Sequence, residues 1–160
     1  MLRNKKILFA FAMLFSSFVN ARELEPLADF VHRNPQFMTQ LKDSQMLVSR
    51  CSALYVVLSV RLNEMQYKKD GDDLIAHLTK ASESYELGRL TLSKAGKYDE
   101  ASTRFLQKDF AKKYSNITLA NWKKDRGIFE DLINEDLKVC EDYAPHYKKL
   151  AHNLAKYIGR

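Results

Sequence analysis

The side chains able to do chemistry are few and widely spaced: two cysteines, four histidines and three adjacent acid pairs near the C-terminal end. Cys51 and Cys140 belong to no CxxC pair, which leaves neither a redox dithiol nor a four-cysteine zinc site. A di-metal carboxylate bundle needs inward-facing Glu-x-x-His pairs, and the chain contains no Glu-x-x-His. Asp29 and His32 have the same spacing once, on a short segment whose ordinary reading is a solvated helix face. No CxxCH motif offers covalent haem attachment, so the cofactor alternative is a non-covalent haem or metal held by His77 with Met46 or Met65. Methionine at helical spacing is usually core filler, and no cofactor is expected.

Hydrolytic chemistry fares no better. Glycoside cleavage needs two carboxylates facing each other across a substrate. The acids here fall at Glu130-Asp131, Glu135-Asp136 and Glu141-Asp142. Asp131, Glu135, Lys138 and Asp142 share one helical face opposite an apolar stripe, which is the pattern of a solvated surface. There is no GxSxG elbow and no glycine-rich phosphate loop. A hydrolase is therefore the third reading, behind a binding protein and a cofactor carrier.

Compartment explains the cysteines best. Residues 1–21, MLRNKKILFAFAMLFSSFVNA, place Arg3, Lys5 and Lys6 before an apolar stretch from Ile7 to Val19 and small residues at Val19-Asn20-Ala21. This is the layout of a secretory signal peptide, with cleavage expected after Ala21 and residues 22–160 left as one helical domain. Export to a periplasmic or extracellular space favours a Cys51–Cys140 disulfide. In the chain-entropy model such a bridge stabilises the fold by about 4 to 5 kcal/mol.

Removing the leader also changes the charge. The chain has 26 Lys plus Arg against 20 Asp plus Glu, but three of the bases and none of the acids precede Arg22. The remainder, 23 against 20, is only mildly basic, so the pI of 9.2 does not argue for nucleic-acid binding.

The elements that must position these groups are helices. Glycine and proline are scarce, and no alternating strand pattern occurs. Pro26 opens a short helix that Asn34-Pro35 ends. Leu41, Ser44, Val48, Cys51, Tyr55, Leu58, Leu62 and Met65 then recur at steps of three and four, and Leu47, Leu54, Val56, Val57 and Val60 widen the stripe. A helix apolar almost all round is central to its fold. Arg50 and Arg61 bracket only ten residues of the run, too few for a bilayer span.

Asp70-Gly71 marks a turn, with Asp72 or Asp73 expected to cap the next helix. Its stripe is Leu74, Leu78, Ala81, Tyr85, Gly88 and Leu92, whose small members permit close helix approach. Gly96 ends it, and Asp99 starts a third long helix through Phe105, Leu106, Phe110 and Tyr114 toward an expected break at Ser115-Asn116. Trp122, Phe129, Ile133, Leu137 and Cys140 mark the last long helix, which Pro145 is expected to interrupt.

Within this plan, Gly96, Tyr98, Ala101 and Phe105 of GKYDEASTRF, with Leu87-Gly88 before them, resemble the turn and second-helix positions of a tetratricopeptide repeat. The resemblance departs by one extra residue before Gly96 and by Lys113 where a closing proline belongs; RGIFEDLIN, 126–134, echoes it faintly. An array needs about three stacked units, so the reading adopted is a helix, a tight turn and a helix.

Beyond Asp142 the chain has no acid. His146, Lys149, Asn153 and Lys156 fall opposite Tyr147, Leu150, Leu154 and Ile158, which makes them a candidate interaction surface. Docking of that segment onto its own bundle is preferred to contact with an anionic membrane. The expectation is an exported, non-catalytic binding or adaptor protein of the cell envelope. Its architecture is a single up-and-down bundle of about four to five helices, its partner another envelope protein.

Overall fold

Leu27, the first residue of α1 (Leu27–Arg33), is fully buried just after a proline that fixes the entry of the chain. In the computed structural model, which describes residues 24–65, 71–96, 99–124 and 127–158, four longer helices follow. They are α2 (Leu41–Glu64), α3 (Gly71–Gly96), α4 (Glu100–Lys123) and α5 (Asp131–Ile158), with a 3-10 turn at Phe37–Thr39 before α2. The leader expected at 1–21 lies outside the described residues.

The protein is an all-α bundle with α2 at its centre. Ser52 and Arg61 of α2 meet Gln107 and Ser115 of α4, so these two helices run the same way. Tyr55 stacks on Tyr85, and Val48 lies against Gly88, so α3 runs oppositely. Cys51 meets Cys140 while the earlier Phe37 meets the later Tyr143, so α5 is antiparallel to α2 as well. The arrangement is up and down. Leu47, Leu54, Leu58 and Leu62 of α2 are almost wholly buried, as are Leu92, Tyr114 and Ile133 from the three surrounding helices.

By length and composition α2 could cross a membrane, but 72% of its most apolar window is buried inside the bundle. Coverage by neighbouring helices, more than shortness, explains that composition. Gly88 does sit against α2, although a Cβ there would be 3.5 Å from Val48 Cγ1, an ordinary contact.

Trp122 lies in α4 and Phe129 precedes α5, so neither marks the last helix as expected, and local boundaries differ at three further places. The helix begins at Gly71, so Asp72 and Asp73 fall within the first turn of α3 and do not precede it. Ser115 and Asn116 do not break α4; Arg61 donates to Ser115 Oγ at 2.8 Å, and tertiary contact overrides a weak local preference. Pro145 lies inside α5 without ending it. Its missing N–H frees the carbonyl of Glu141, and both residues are exposed, so that carbonyl is not stranded in the core. Asp99, as expected, caps α4 by accepting from the N–H groups of Ala101 and Ser102. Phe105, by contrast, is 74% exposed and is no part of the core stripe.

Candidate functional site

Among the described residues two arginines are buried, and both hydrogen-bond to other helices. Arg50 of α2 donates through Nε to the Tyr114 hydroxyl at 2.8 Å and through Nη2 to Asp136 Oδ2 at 2.5 Å. The Tyr114 hydroxyl donates to the same carboxylate oxygen, and the Leu27 N–H donates to Asp136 Oδ1 at 2.7 Å. One carboxylate thus joins α1, α2, α4 and α5. Burial works against the Arg50 charge, but Tyr114 and Asp136 outweigh it and hold the guanidinium more firmly protonated than usual. Burial, reinforced by Asp136, pushes the Tyr114 phenol well above its ordinary range.

Arg89 of α3, also completely buried, grips Glu86 through two parallel hydrogen bonds of 2.7 and 2.9 Å and donates to Thr103 of α4 at 2.7 Å. Gln107 donates to Glu86 and to Ser52, which brings α2 into the same network. The Arg89 hydrogen bonds, larger than the opposing effect of burial, hold the Glu86 carboxyl below its usual range. These groups bond chiefly to one another, with Arg50, Arg89 and Asp136 buried and Glu86 and Gln107 half-buried at the edge of the second network. They hold helices together and offer nothing to a reactant.

The accessible site is a half-open groove of about 520 Å³ between α3 and α5, floored by α2. His77, Ala81, Ser84 and Tyr85 form the α3 wall. Glu141, Ala144, Pro145, Tyr147 and Lys148 form the α5 wall, and Tyr55 lies beneath. The helices place them by simple periodicity: Glu141, Ala144, Pro145 and Lys148 stand at i, i+3, i+4 and i+7 on one face of α5. Small residues at Ala81, Ser84 and Ala144 leave the space, and the charged and imidazole groups of His77, Glu141 and Lys148 are exposed at its rim.

The floor is aromatic and neutral. Tyr55 and Tyr85 stack with ring centroids 5.7 Å apart, and Tyr147 meets Tyr85 at 5.8 Å. The Tyr85 hydroxyl donates to the Cys140 carbonyl. Burial pushes all three phenols far up, with Glu141 adding to the rise at Tyr55 and Tyr85 and Tyr143 at Tyr147. They are hydrogen-bonding and stacking groups at physiological pH, with no phenolate to act as base or nucleophile. The Tyr147 hydroxyl faces Ser44, whose own proton goes to the Phe37 carbonyl, and it completes no hydrogen bond of normal geometry among the described residues.

Sequence reasoning placed one of these groups near a site. His77 does line the groove, but Met65 lines a separate, smaller groove with Trp122 and Ile128, and Met46 packs against the core. Neither methionine lines the groove with His77. Asp29 and His32 are exposed on α1, and among the described residues no three His, Cys, Asp or Glu side chains converge as a metal site. His146, Lys149 and Asn153 are exposed on α5 beside the groove's Lys148; the Lys156 side chain lies outside the described residues. The groove itself had one sequence signal, the small residues Ala81, Ser84 and Ala144 set within aromatic stripes.

Cys51 and Cys140 form a disulfide with Cα atoms 5.6 Å apart, which fits an oxidising, exported environment. No family model, curated protein or solved structure matches this chain.

Proposed function

We propose that the chain is an exported, non-catalytic helical binding protein of the cell envelope, which holds its ligand non-covalently between α3 and α5. One observation carries this reading. The groove has the size of small-ligand sites, an apolar wall of Ala81, Ala144 and Pro145, a floor of protonated phenols, and charge only at its rim. Such a site selects by shape and a few polar contacts. The leader at 1–21 would deliver the chain to the compartment in which its disulfide persists. The exposed His146, Lys149 and Asn153 would extend the contact of a larger envelope partner beyond Lys148, with Lys156 continuing the same register.

A photoreactive side chain placed at Ser84 tests this in living cells, with the same probe at exposed Lys112 of α4 as control. Irradiation should give an adduct from position 84 that position 112 does not give and that Ala81→Trp, which fills the groove, removes. Identical adducts from both positions, or an adduct indifferent to Ala81→Trp, would exclude the groove as the binding element.

A further inference from the structure

The α5 wall of the groove has opposite charges at its two ends. Glu141 and Lys148 are seven residues apart on one helix face, about 10 Å at 1.5 Å per residue, with Ala144 and Pro145 between them. Both are exposed, and neither is in an ion pair among the described residues. The acidic end is also rich in unused acceptors. Pro145 has no N–H to return to the Glu141 carbonyl, and the hydroxyl of Tyr55, a residue only 2% exposed, makes no hydrogen bond among the described residues. Glu141 lines the same groove as Tyr55 and Tyr85.

An ammonium group at the Glu141 end would meet a carboxylate and a carbonyl that has lost its i+4 N–H donor; an anion there would meet only acceptors. At the Lys148 end the preference reverses. A ligand that uses both ends must carry a cation and an anion about 10 Å apart with an apolar body between them. An extended chain advances at most 3.3 to 3.6 Å per residue, so about three residues with free termini match that span. We infer that the groove binds short peptides of about three residues, the terminal ammonium at Glu141 and the terminal carboxylate at Lys148. This rests on the groove being the binding element. The small side chains of Ala81, Ser84 and Ala144 leave room for the central side chain. His77 on the facing wall can donate to or accept from a peptide group.

Calorimetric titration of the full-length exported protein tests this with Ala-Leu-Ala, its N-acetylated form, its C-terminal amide, and 8-aminooctanoic acid. The last has a similar charge separation and no peptide groups. Blocking either terminus should weaken binding about tenfold, the scale of one charge-assisted hydrogen bond. Glu141→Gln should abolish discrimination against the acetylated peptide only, and Lys148→Gln discrimination against the amide only. Both residues are exposed, so the variants should fold. The inference is overturned if blocked and free peptides bind alike, if the variants retain both discriminations, or if no peptide binds at millimolar concentration. Equal binding of 8-aminooctanoic acid would replace peptides by zwitterions of that span. A non-peptide adduct at Ser84 would reject the peptide class while leaving the groove as the binding element.

Discussion

Replacing Asp136 by Asn changes one atom and should be among the most damaging substitutions in the chain. Asp136 is completely buried and receives three donors: the Leu27 N–H, Arg50 Nη2 and the Tyr114 hydroxyl. Asparagine can keep the Leu27 bond through its carbonyl oxygen, but it presents an NH₂ group where two donors converge, and it leaves the Arg50 guanidinium buried without a counter-charge. Breaking a buried pair on one side costs about 3 to 5 kcal/mol. That is a large share of the 5 to 15 kcal/mol typical of whole domains, and for this size of chain it corresponds to a melting temperature lower by about 10 to 20 °C. Urea unfolding followed by circular dichroism at 222 nm would measure it. The triple variant Arg50→Met, Tyr114→Phe, Asp136→Leu separates loss of the pair from loss of packing, because it removes the charges and the polar hydroxyl together. It should recover more than half of the deficit. A loss below about 1 kcal/mol in Asp136→Asn, or a triple variant as unstable as the single one, would refute the view that an uncompensated buried charge sets the cost.

Reduction of Cys51–Cys140, which closes a separation of 89 residues, should lower stability by about 4 to 5 kcal/mol; the oxidised chain should weigh two hydrogens less than the reduced one by mass spectrometry. Tyr55, Tyr85, Tyr114 and Tyr147 all have raised phenol ionisation in the fold, so the native state keeps protons that the unfolded state sheds. Their contribution is complete below about pH 10, the unfolded value, and is lost as pH rises above it. In an ultraviolet titration at least these four of the eight tyrosines should ionise only as the protein unfolds. Leu58→Ala, at a fully buried position, should cost about 2 to 5 kcal/mol, whereas Phe105→Ala, at a 74% exposed position, should change thermal stability by less than about 0.5 kcal/mol.

Helical periodicity carried the fold class and the central place of α2, because each depends on many apolar residues agreeing, whereas the cysteine pairing came from the signal-like leader and from there being two cysteines. Single residues were read less well, and the reason is physical. Arg50 interrupts an apolar run and looks like a boundary, yet it points into the core because a carboxylate and a phenol from two other helices meet it there. The clue was available in register: Asp136 stands three residues after Ile133 and four before Cys140, on the buried stripe and off the solvated face of its neighbours. Phe105 shows the converse, since its spacing fits the stripe but no neighbouring helix covers it. The groove was hidden for a related reason. Periodicity tells which face of a helix is apolar, whereas a cavity depends on how far apart two such faces are held.

That distance is a property of α5. Asp136 and Cys140, one turn apart, fasten this helix to α2 through an ion pair and a covalent bond at the adjacent residues Arg50 and Cys51. The Tyr85 hydroxyl bonds to the carbonyl of the same Cys140, and just beyond it Pro145 removes the hydrogen bond that would have occupied the Glu141 carbonyl. The same helix therefore passes from a segment anchored to α2 by a buried carboxylate and a disulfide to a segment whose Glu141 and Lys148 are exposed without an ion pair among the described residues. Anchoring at Asp136 and Cys140 fixes where the following turns stand, and a groove built from small residues needs such a fixed wall. On the proposed reading, stability and binding fall to successive turns of one helix: the chemistry at Asp136 sets the geometry available at Glu141 and Lys148.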